Sequence, residues 1–195
     1  MSIKNKQEYN EETFNKKDFS KLDISKSCFY NCKFISCNMS GINLSDTELI
    51  ECSFKDCDLS NSILINTVFN DVSFSSSKLI GLDFKNCKKI LLDMKFKSCD
   101  LSYCVFADMN LKGINFDECK LSYAEFISCN LRDSSYNEAI LASCRFNDCN
   151  LTKADFRYAL QYFVDPVNNV LKKAKFRLPE VLNLLAPFDI VIDYK

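Results

Sequence analysis

The chain has 195 residues, with 25 Lys and Arg against 26 Asp and Glu, three Gly, three Pro and no His. The near balance of charge argues against non-specific binding of nucleic acid, and the lack of histidine removes the general base of Ser-His-Asp and Cys-His sites. No run reaches the roughly 18 apolar residues of a membrane helix, and no secretory signal is visible at the N-terminus. We therefore expect a cytoplasmic protein that binds no cofactor, no nucleic acid directly and no membrane.

A five-residue period dominates the chain after a charged N-terminal segment at residues 1–12. Large apolar residues recur at every fifth position from Phe14 to Phe84 and, after a shift of two, from Phe96 to Phe156. Five matches neither the 3.6-residue period of a helix nor the two-residue period of a strand. The positions two residues earlier are mostly small or apolar, and every cysteine except Cys28 occupies one. Two of every five residues are thus expected to point inward.

This pattern predicts an all-β solenoid over residues 13–160. Each five-residue unit would form one side of a four-sided, 20-residue coil, and coils would stack at about 4.8 Å. Roughly seven coils would give a rod of about 35 Å whose filled interior leaves no room for a ligand pocket. The residues expected to fill the lumen are Phe54, Phe74, Phe96, Phe106, Phe116, Phe126, Phe146, Phe156, Cys99, Cys119, Cys129 and Cys149.

The shift of register indicates a two-residue bulge near residues 86–90, with Leu91 already in the later register. Two interpretations stay open. The bulge is either a tolerated insertion at one corner or a small recognition loop that carries Lys88 and Lys89.

Residues 161–195 are expected to form a final partial coil, a short helix between Pro179 and Pro187, and a terminal strand in the sequence DIVID. The helix is apolar on more than one side. It would cap the lumen, either alone or while also forming a symmetric homodimer. The residues assigned to this cap and dimer surface are Val181, Leu182, Leu184, Leu185, Phe188 and Ile190.

The five-residue pattern resembles the pentapeptide-repeat proteins. CDLSN at residues 57–61 and ADFRY at residues 154–158 are near-ideal repeats, and the resemblance covers residues 14–160. It implies a right-handed, quadrilateral β-helix. The C-terminal sequence DPVNNVLKKAKFRLPEVLNLLAPFDIVI resembles the quinolone-resistance (Qnr-like) subgroup, in which this segment joins two coils end to end.

The subgroup resemblance implies a rod that imitates duplex DNA, binds DNA gyrase or topoisomerase IV and modulates fluoroquinolone sensitivity. This chain lacks the long loops of Gram-negative members, and its coil is nearly neutral. A scaffold with an unrelated partner therefore stays open as the second function, and an enzyme would require a concave polar pocket. The residues assigned to a partner surface are Asp100, Asp108, Asp117, Lys88 and Lys89.

The cysteines are expected to be small core residues rather than metal ligands or disulfides. Pairs such as Cys52 and Cys57 do not have the spacing of zinc ligands, and buried cysteine behaves as a small hydrophobe. Cys28 directly precedes Phe29, in an outward position, so it should be the most readily modified thiol.

Overall fold

The computed structural model describes residues 7–193, in which twelve short strands and two 3-10 helices alternate with turns. The helices are Phe84–Asn86 and Glu180–Phe188. The strands are β1 Glu8–Asn10, β2 Thr13–Asn15, β3 Cys28–Tyr30, β4 Lys33–Ile35, β5 Glu48–Ile50, β6 Ser53–Lys55, β7 Val68–Asn70, β8 Val72–Ser75, β9 Met94–Lys97, β10 Val105–Ala107, β11 Glu125–Ile127 and β12 Arg145–Asn147.

The strands form the walls of a right-handed, four-sided β-helix, as predicted. The first wall contains β1, β3, β5 and β7 and continues through Asn110, Asn130 and Asn150. The second contains β2, β4, β6, β8 and β9. The third is made of single bridges such as Asp58 to Lys78, and the fourth ends in β10, β11 and β12. All pairs are parallel, because each coil runs in the same direction as the coil before it.

The coil begins earlier than the sequence pattern predicted. Strand β1 lies inside the segment 1–12, and the buried Tyr9 ring stacks on Phe29 with 4.8 Å between centroids. Tyr9 occupies the position five residues before Phe14, so the five-residue register already holds there.

The lumen is filled by large side chains stacked from coil to coil. One column runs almost the full length of the rod, with ring centroids 4.5–5.7 Å apart. It contains Phe14, Phe34, Phe54, Phe74, Phe96, Phe116, Tyr136, Phe156 and Phe176. A second column, Phe84, Phe106, Phe126 and Phe146, packs against it edge to face. All the residues assigned to the lumen from the sequence are buried here.

The small inward residues have a polar role that the sequence pattern did not indicate. The thiol of Cys57 lies 3.4 Å from the carbonyl oxygen of Phe34, one coil back, and Cys149 makes the same contact with Phe126. Thr67 donates its hydroxyl to the carbonyl of Leu44 at 2.8 Å in the equivalent position. A thiol is a weak donor that can meet this carbonyl and still pack as a small hydrophobe, which explains cysteine at this position.

The insertion lies at residues 92–93, not at residues 86–90. Cys87 is still buried at a small position, and Leu91 has the left-handed φ of +58° found at other corners, so the first register persists to Leu91. Leu91 is 70% exposed, so the prediction that it joins the later register is wrong. Val72 in β8 lies opposite Met94 in β9, 22 residues later, whereas the other strands pair with residues 20 later. Leu92 and Asp93 are therefore the two extra residues.

The C-terminal segment closes the lumen as a 3-10 helix. Leu184 packs against the core, and the Phe176 ring stacks on Phe156 at 5.4 Å. Pro179 directly precedes the helix, whereas Pro187 lies within it rather than beyond it. The terminal strand expected in DIVID is not formed in residues 189–193, where Val191 is 98% exposed and no strand pairs with it. No helix within residues 7–193 is long and apolar enough to cross a membrane.

Replacing Tyr136 with Phe should leave the free energy of unfolding unchanged or raise it by up to about 1 kcal/mol. The ring is buried in the aromatic column, but its hydroxyl has no hydrogen-bond partner. Ser134, two residues earlier, donates its own hydroxyl to the carbonyl of Leu131 at 2.7 Å. A buried hydroxyl without a partner destabilises a fold, so its removal should not.

Urea denaturation would measure the change, with Tyr123→Phe as the control because Tyr123 is an exposed ring stacked on Tyr103. A loss above about 1 kcal/mol in Tyr136→Phe alone would show that the hydroxyl is satisfied.

Candidate partner-binding surface

The acidic side chains fall into two structural groups. The first lies one residue before a large inward residue, where the carboxylate accepts the backbone N–H two residues later. Asp100 accepts from Ser102 N at 3.0 Å, and Asp58 accepts from Ser60 N at 2.9 Å. Asparagine does the same at equivalent positions, such as Asn38 with Ser40 N. These carboxylates support the turn at each corner, which is a structural task.

The second group lies at the corners themselves, two residues after a large inward residue. The backbone there is left-handed, with φ of +57° at Asp46 and +54° at Glu51. A left-handed φ is unfavourable for residues other than glycine, and Asn and Asp tolerate it best. The side chains project away from the coil and are exposed. These corner carboxylates are therefore the ones available to a partner.

The corner carboxylates concentrate on one side of the rod. We call the first wall and its two corners the acidic surface. Its exposed carboxylates are Glu8, Glu11, Asp46, Glu48, Glu51, Asp71, Asp108, Asp133 and Asp148. The corner carboxylates differ from the structural group by lying two residues after a large inward residue, whereas Glu8 and Glu48 lie one residue before one, on the outward face of strands β1 and β5.

Cations neutralise part of the acidic surface, mainly in its C-terminal half. Lys89 pairs with Asp108 at 3.7 Å, and Lys153 approaches Asp133 at 4.0 Å. Lys95 pairs with Asp71 at 2.6 Å. By contrast, none of the carboxylates Glu8, Glu11, Asp46, Glu48 and Glu51 forms an ion pair within residues 7–193. Lys26 is the cation on the same corner row as Asp46.

Cys28 lies at the centre of this N-terminal acidic region. In the first wall it is paired in register with Glu8 on one side and Glu48 on the other. It is half-buried, whereas every other cysteine is buried, and all twelve are free thiols. Partial burial, and next the neighbouring carboxylates of Glu48 and Glu8, raise the pKa of the Cys28 thiol.

The residues assigned to the partner surface from the sequence do not form one patch. Lys88, Lys89 and Asp108 lie together near the insertion and are exposed. Asp100 is half-buried in the third wall and supports a turn. Asp117, in the second wall, accepts from the Ser135 hydroxyl and from Asn137 N at 2.8 Å, so it also holds the coil together.

The residues assigned to the cap and dimer surface divide into two layers. Val181, Leu182, Leu184 and Leu185 are half-buried against the end of the rod. Phe188 and Ile190 are exposed, together with Leu178 and Val191. Beneath the helix, the hydroxyl of Tyr162 and one carboxylate oxygen of Glu180 are buried without partners. Burial, and then the Glu180 charge, raise the pKa of Tyr162 to about 12.

A second exposed feature lies on the corner between the third and fourth walls. The rings of Tyr103 and Tyr123 stack there with 4.9 Å between centroids, and both are about half exposed. Tyr158 also lies at the surface, with the Arg177 guanidinium 5.4 Å from its ring centroid. Within residues 7–193, no group of three or more Cys, Asp or Glu side chains is arranged to hold a metal ion.

The structure thus defines a class of protein: a solid parallel solenoid with a charged outer surface. Residues 27–89 and 82–156 match the family model described as a pentapeptide repeat region. The chain belongs to the pentapeptide-repeat family.

Solved structures place the chain beside members with different roles. Full-length QnrB1, described as a plasmid-mediated fluoroquinolone resistance protein, is 18% identical, with a TM-score of 0.50 over 94% of this chain and all of that one. A trypsin-treated form of QnrB1 gives 20% identity and a TM-score of 0.51 over 96% and 98% of the two chains.

HetL, a pentapeptide-repeat protein involved in heterocyst differentiation regulation from the cyanobacterium Nostoc sp. strain PCC 7120, is 17% identical, with a TM-score of 0.54 over 91% and 90%. No curated protein sequence matches the chain. At these identities the solved structures establish the shared fold.

A maleimide should label Cys28 of the native protein and no other cysteine, because only its thiol is partly accessible. Labelling should be slower than that of an unstructured thiol at the same pH and should accelerate as pH rises, since the thiolate reacts and its pKa is raised. Mass spectrometry after digestion measures the sites, and Cys28→Ser is the control. Equal labelling of several cysteines would contradict the inward assignment of the others.

Proposed function

We propose that the protein is a non-catalytic ligand of a type II topoisomerase, DNA gyrase or topoisomerase IV, and that it modulates fluoroquinolone sensitivity. The observation that carries this proposal is the cluster of carboxylates over the first coils that form no ion pair within residues 7–193. The cluster would face the basic groove in which the enzyme holds duplex DNA.

The local charge density supports imitation of DNA. Glu8 and Glu48 occupy the same line of the first wall two coils apart, a distance of about 10 Å. Glu11, Asp46 and Glu51 flank that line on its two corners. Duplex DNA carries about six negative charges over the same length. Lys26, on the same corner row as Asp46, offsets one of these five carboxylates. The first coils therefore carry about four net negative charges over this length, roughly two thirds of the charge of a duplex, although the whole chain is nearly neutral.

The likeness to QnrB1 over nearly the full length of both chains supports the same proposal, because that protein is described as conferring fluoroquinolone resistance. The filled lumen supports a non-catalytic role, since the stacked side chains leave no cavity for a substrate inside the coil.

The exposed tyrosine pair favours a second candidate, a scaffold for an unrelated protein partner. Tyr103 and Tyr123 present aromatic rings on the side opposite the acidic surface, and aromatic residues are enriched in protein interfaces. A scaffold of this kind would use these rings and would not depend on the corner carboxylates.

We further propose that the C-terminal segment forms a symmetric homodimer. Leu178, Phe188, Ile190 and Val191 expose apolar surface next to the half-buried face of the 3-10 helix. Water-exposed apolar residues grouped at the end of a rod are typical of an interface. End-to-end association of two copies through these residues would bury the apolar surface and double the length of the rod.

The first test is DNA supercoiling by gyrase from a low-GC Gram-positive bacterium, with and without a fluoroquinolone. Micromolar protein or less should inhibit the enzyme or rescue it from the drug. The variant Asp46→Asn/Glu51→Gln should shift the titration by about fivefold, because it removes two exposed charges facing the enzyme. The effect should also weaken as salt increases.

The matched control is Asp56→Asn/Glu138→Gln, which removes two left-handed corner carboxylates from the corner between the second and third walls. It should titrate like the wild type. Equal shifts in the two variants would show that net charge, not the acidic surface, is responsible, and no effect of the wild-type protein would favour the scaffold. Gyrase should also slow maleimide labelling of Cys28.

The double variant Phe188→Ser/Val191→Ser should convert the dimer into a monomer, because it removes two exposed apolar side chains of the C-terminal segment. Size-exclusion chromatography with light scattering measures the mass. Tyr103→Ser/Tyr123→Ser removes comparable exposed apolar surface elsewhere and should remain a dimer. A wild-type protein of 22.5 kDa in solution would contradict the proposal.

A further inference from the structure

Two neighbouring coils lack the usual backbone hydrogen bonds beside the insertion. In regular coils each large inward residue donates its N–H to the next coil, as Phe116 does to the Ser135 carbonyl at 2.9 Å. In the next coil, the residue before the large inward residue donates its N–H back to the preceding coil, as Ser135 does to the Ile114 carbonyl at 3.1 Å. The equivalent bonds, Phe96 N–H to Asn115 O and Asn115 N–H to Met94 O, are not formed. No backbone hydrogen bond joins residues 88–98 to residues 108–118.

Side chains bridge this opening at its ends. The hydroxyl of Ser98 donates to Glu118 at 2.6 Å, and Lys89 pairs with Asp108 at 3.7 Å. Backbone pairing resumes beyond Ser98, where Lys120 N donates to the Cys99 carbonyl at 2.9 Å. The opening is therefore a bounded cleft in the first and second walls, and the coils on either side of it remain regular.

The cleft has the size and lining of a binding site. Its volume is about 580 Å³, and its walls are residues 92–97 on one side and residues 110–115, Asp117 and Glu118 on the other. Its floor contains Met94, Phe96, Leu111 and Ile114, which are 5–9% exposed, whereas most large core residues are at or near zero. Pockets of this volume with an apolar floor and a few polar groups are typical of ligand sites.

The polar groups of the cleft select the class of ligand. The backbone N–H groups of Phe96 and Asn115 need acceptors, and the carbonyl of Met94 needs a donor, which a peptide main chain supplies together. The rim carries Asp93, Asp117 and Glu118 beside Lys95, Lys97 and Lys112. Carboxylates among the lysines disfavour a nucleic-acid phosphate backbone.

We infer that this cleft is a docking site for an extended polypeptide segment that inserts one large apolar side chain. The side chain would cover the apolar floor, and the adjacent peptide groups would bond the unpaired backbone of the two coils. Burial of one aromatic anchor in a desolvated pocket is a common source of affinity between proteins. The site is separate from the carboxylates of the first coils, so the inference holds for either partner class discussed above.

Two glycines provide a matched pair of variants. Gly113 lines the cleft, its φ is +73°, and a Cβ added to it would meet no atom within 4 Å. Gly41 has a φ of +65°, the same free space, and a position on the corner between the third and fourth walls. Tyrosine is accepted at this conformation, since Tyr103 and Tyr123 have φ of +62° and +60°. Gly113→Tyr should therefore obstruct the cleft, and Gly41→Tyr should not.

The test is a titration of the full-length protein with the peptides Ac-Ser-Trp-Ser-amide and Ac-Ser-Ala-Ser-amide, followed by NMR of the Met94 and Ile114 methyl groups. The tryptophan peptide should shift both signals saturably in the wild type and in Gly41→Tyr, and at least tenfold more weakly in Gly113→Tyr. The alanine peptide should cause no saturable shift.

The absence of shifts at 10 mM tryptophan peptide would overturn the inference. Equal shifts in the two glycine variants, or equal shifts by the two peptides, would overturn it as well. The outcome is independent of the gyrase assay, so failure of one proposal is distinguishable from failure of the other.

Discussion

The stacking of each coil on the next at one strand spacing is the interaction on which the structure depends. Parallel pairing fixes the distance between coils at about 4.8 Å, and aromatic rings stacked face to face need nearly the same separation. Phe34 and Phe54 are 4.5 Å apart, and Phe106 and Phe126 are 4.8 Å apart. The backbone and the core therefore impose the same repeat. Any residue inserted into one coil must be expelled from the wall.

That constraint explains the organisation of the surface. Because the inward positions are occupied by packing and many positions before them support turns, the surface is formed by the corners and by outward strand positions such as Glu8 and Glu48. The carboxylates at Asp46 and Glu51 lie on corners, as do the rings of Tyr103 and Tyr123. The outer surface therefore consists of longitudinal rows, in which successive side chains are about 5 Å apart.

The insertion shows what happens when the constraint is broken. Leu92 and Asp93 interrupt the wall, the hydrogen bonds between two coils are lost, and a cleft opens over Met94 and Ile114. Repeat proteins depend on contacts between adjacent units, so a local break leaves distant coils intact. The same rod can therefore carry a charged surface and a recessed apolar site without a change in the rest of the fold.

The sequence by itself determined the β-helix, the inward residues and the outward position of Cys28, because a five-residue period leaves each position one environment. It could not place the insertion at residues 92–93, since Leu91 and Leu92 are both apolar and only the left-handed corner at Leu91 distinguishes them. Nor could it separate the turn-forming Asp100 from the outward corner residue Asp46, or bring Glu8 and Glu48 onto one line. Those distinctions arise from hydrogen bonds and register between coils 20 residues apart, which exist only once the chain has wound.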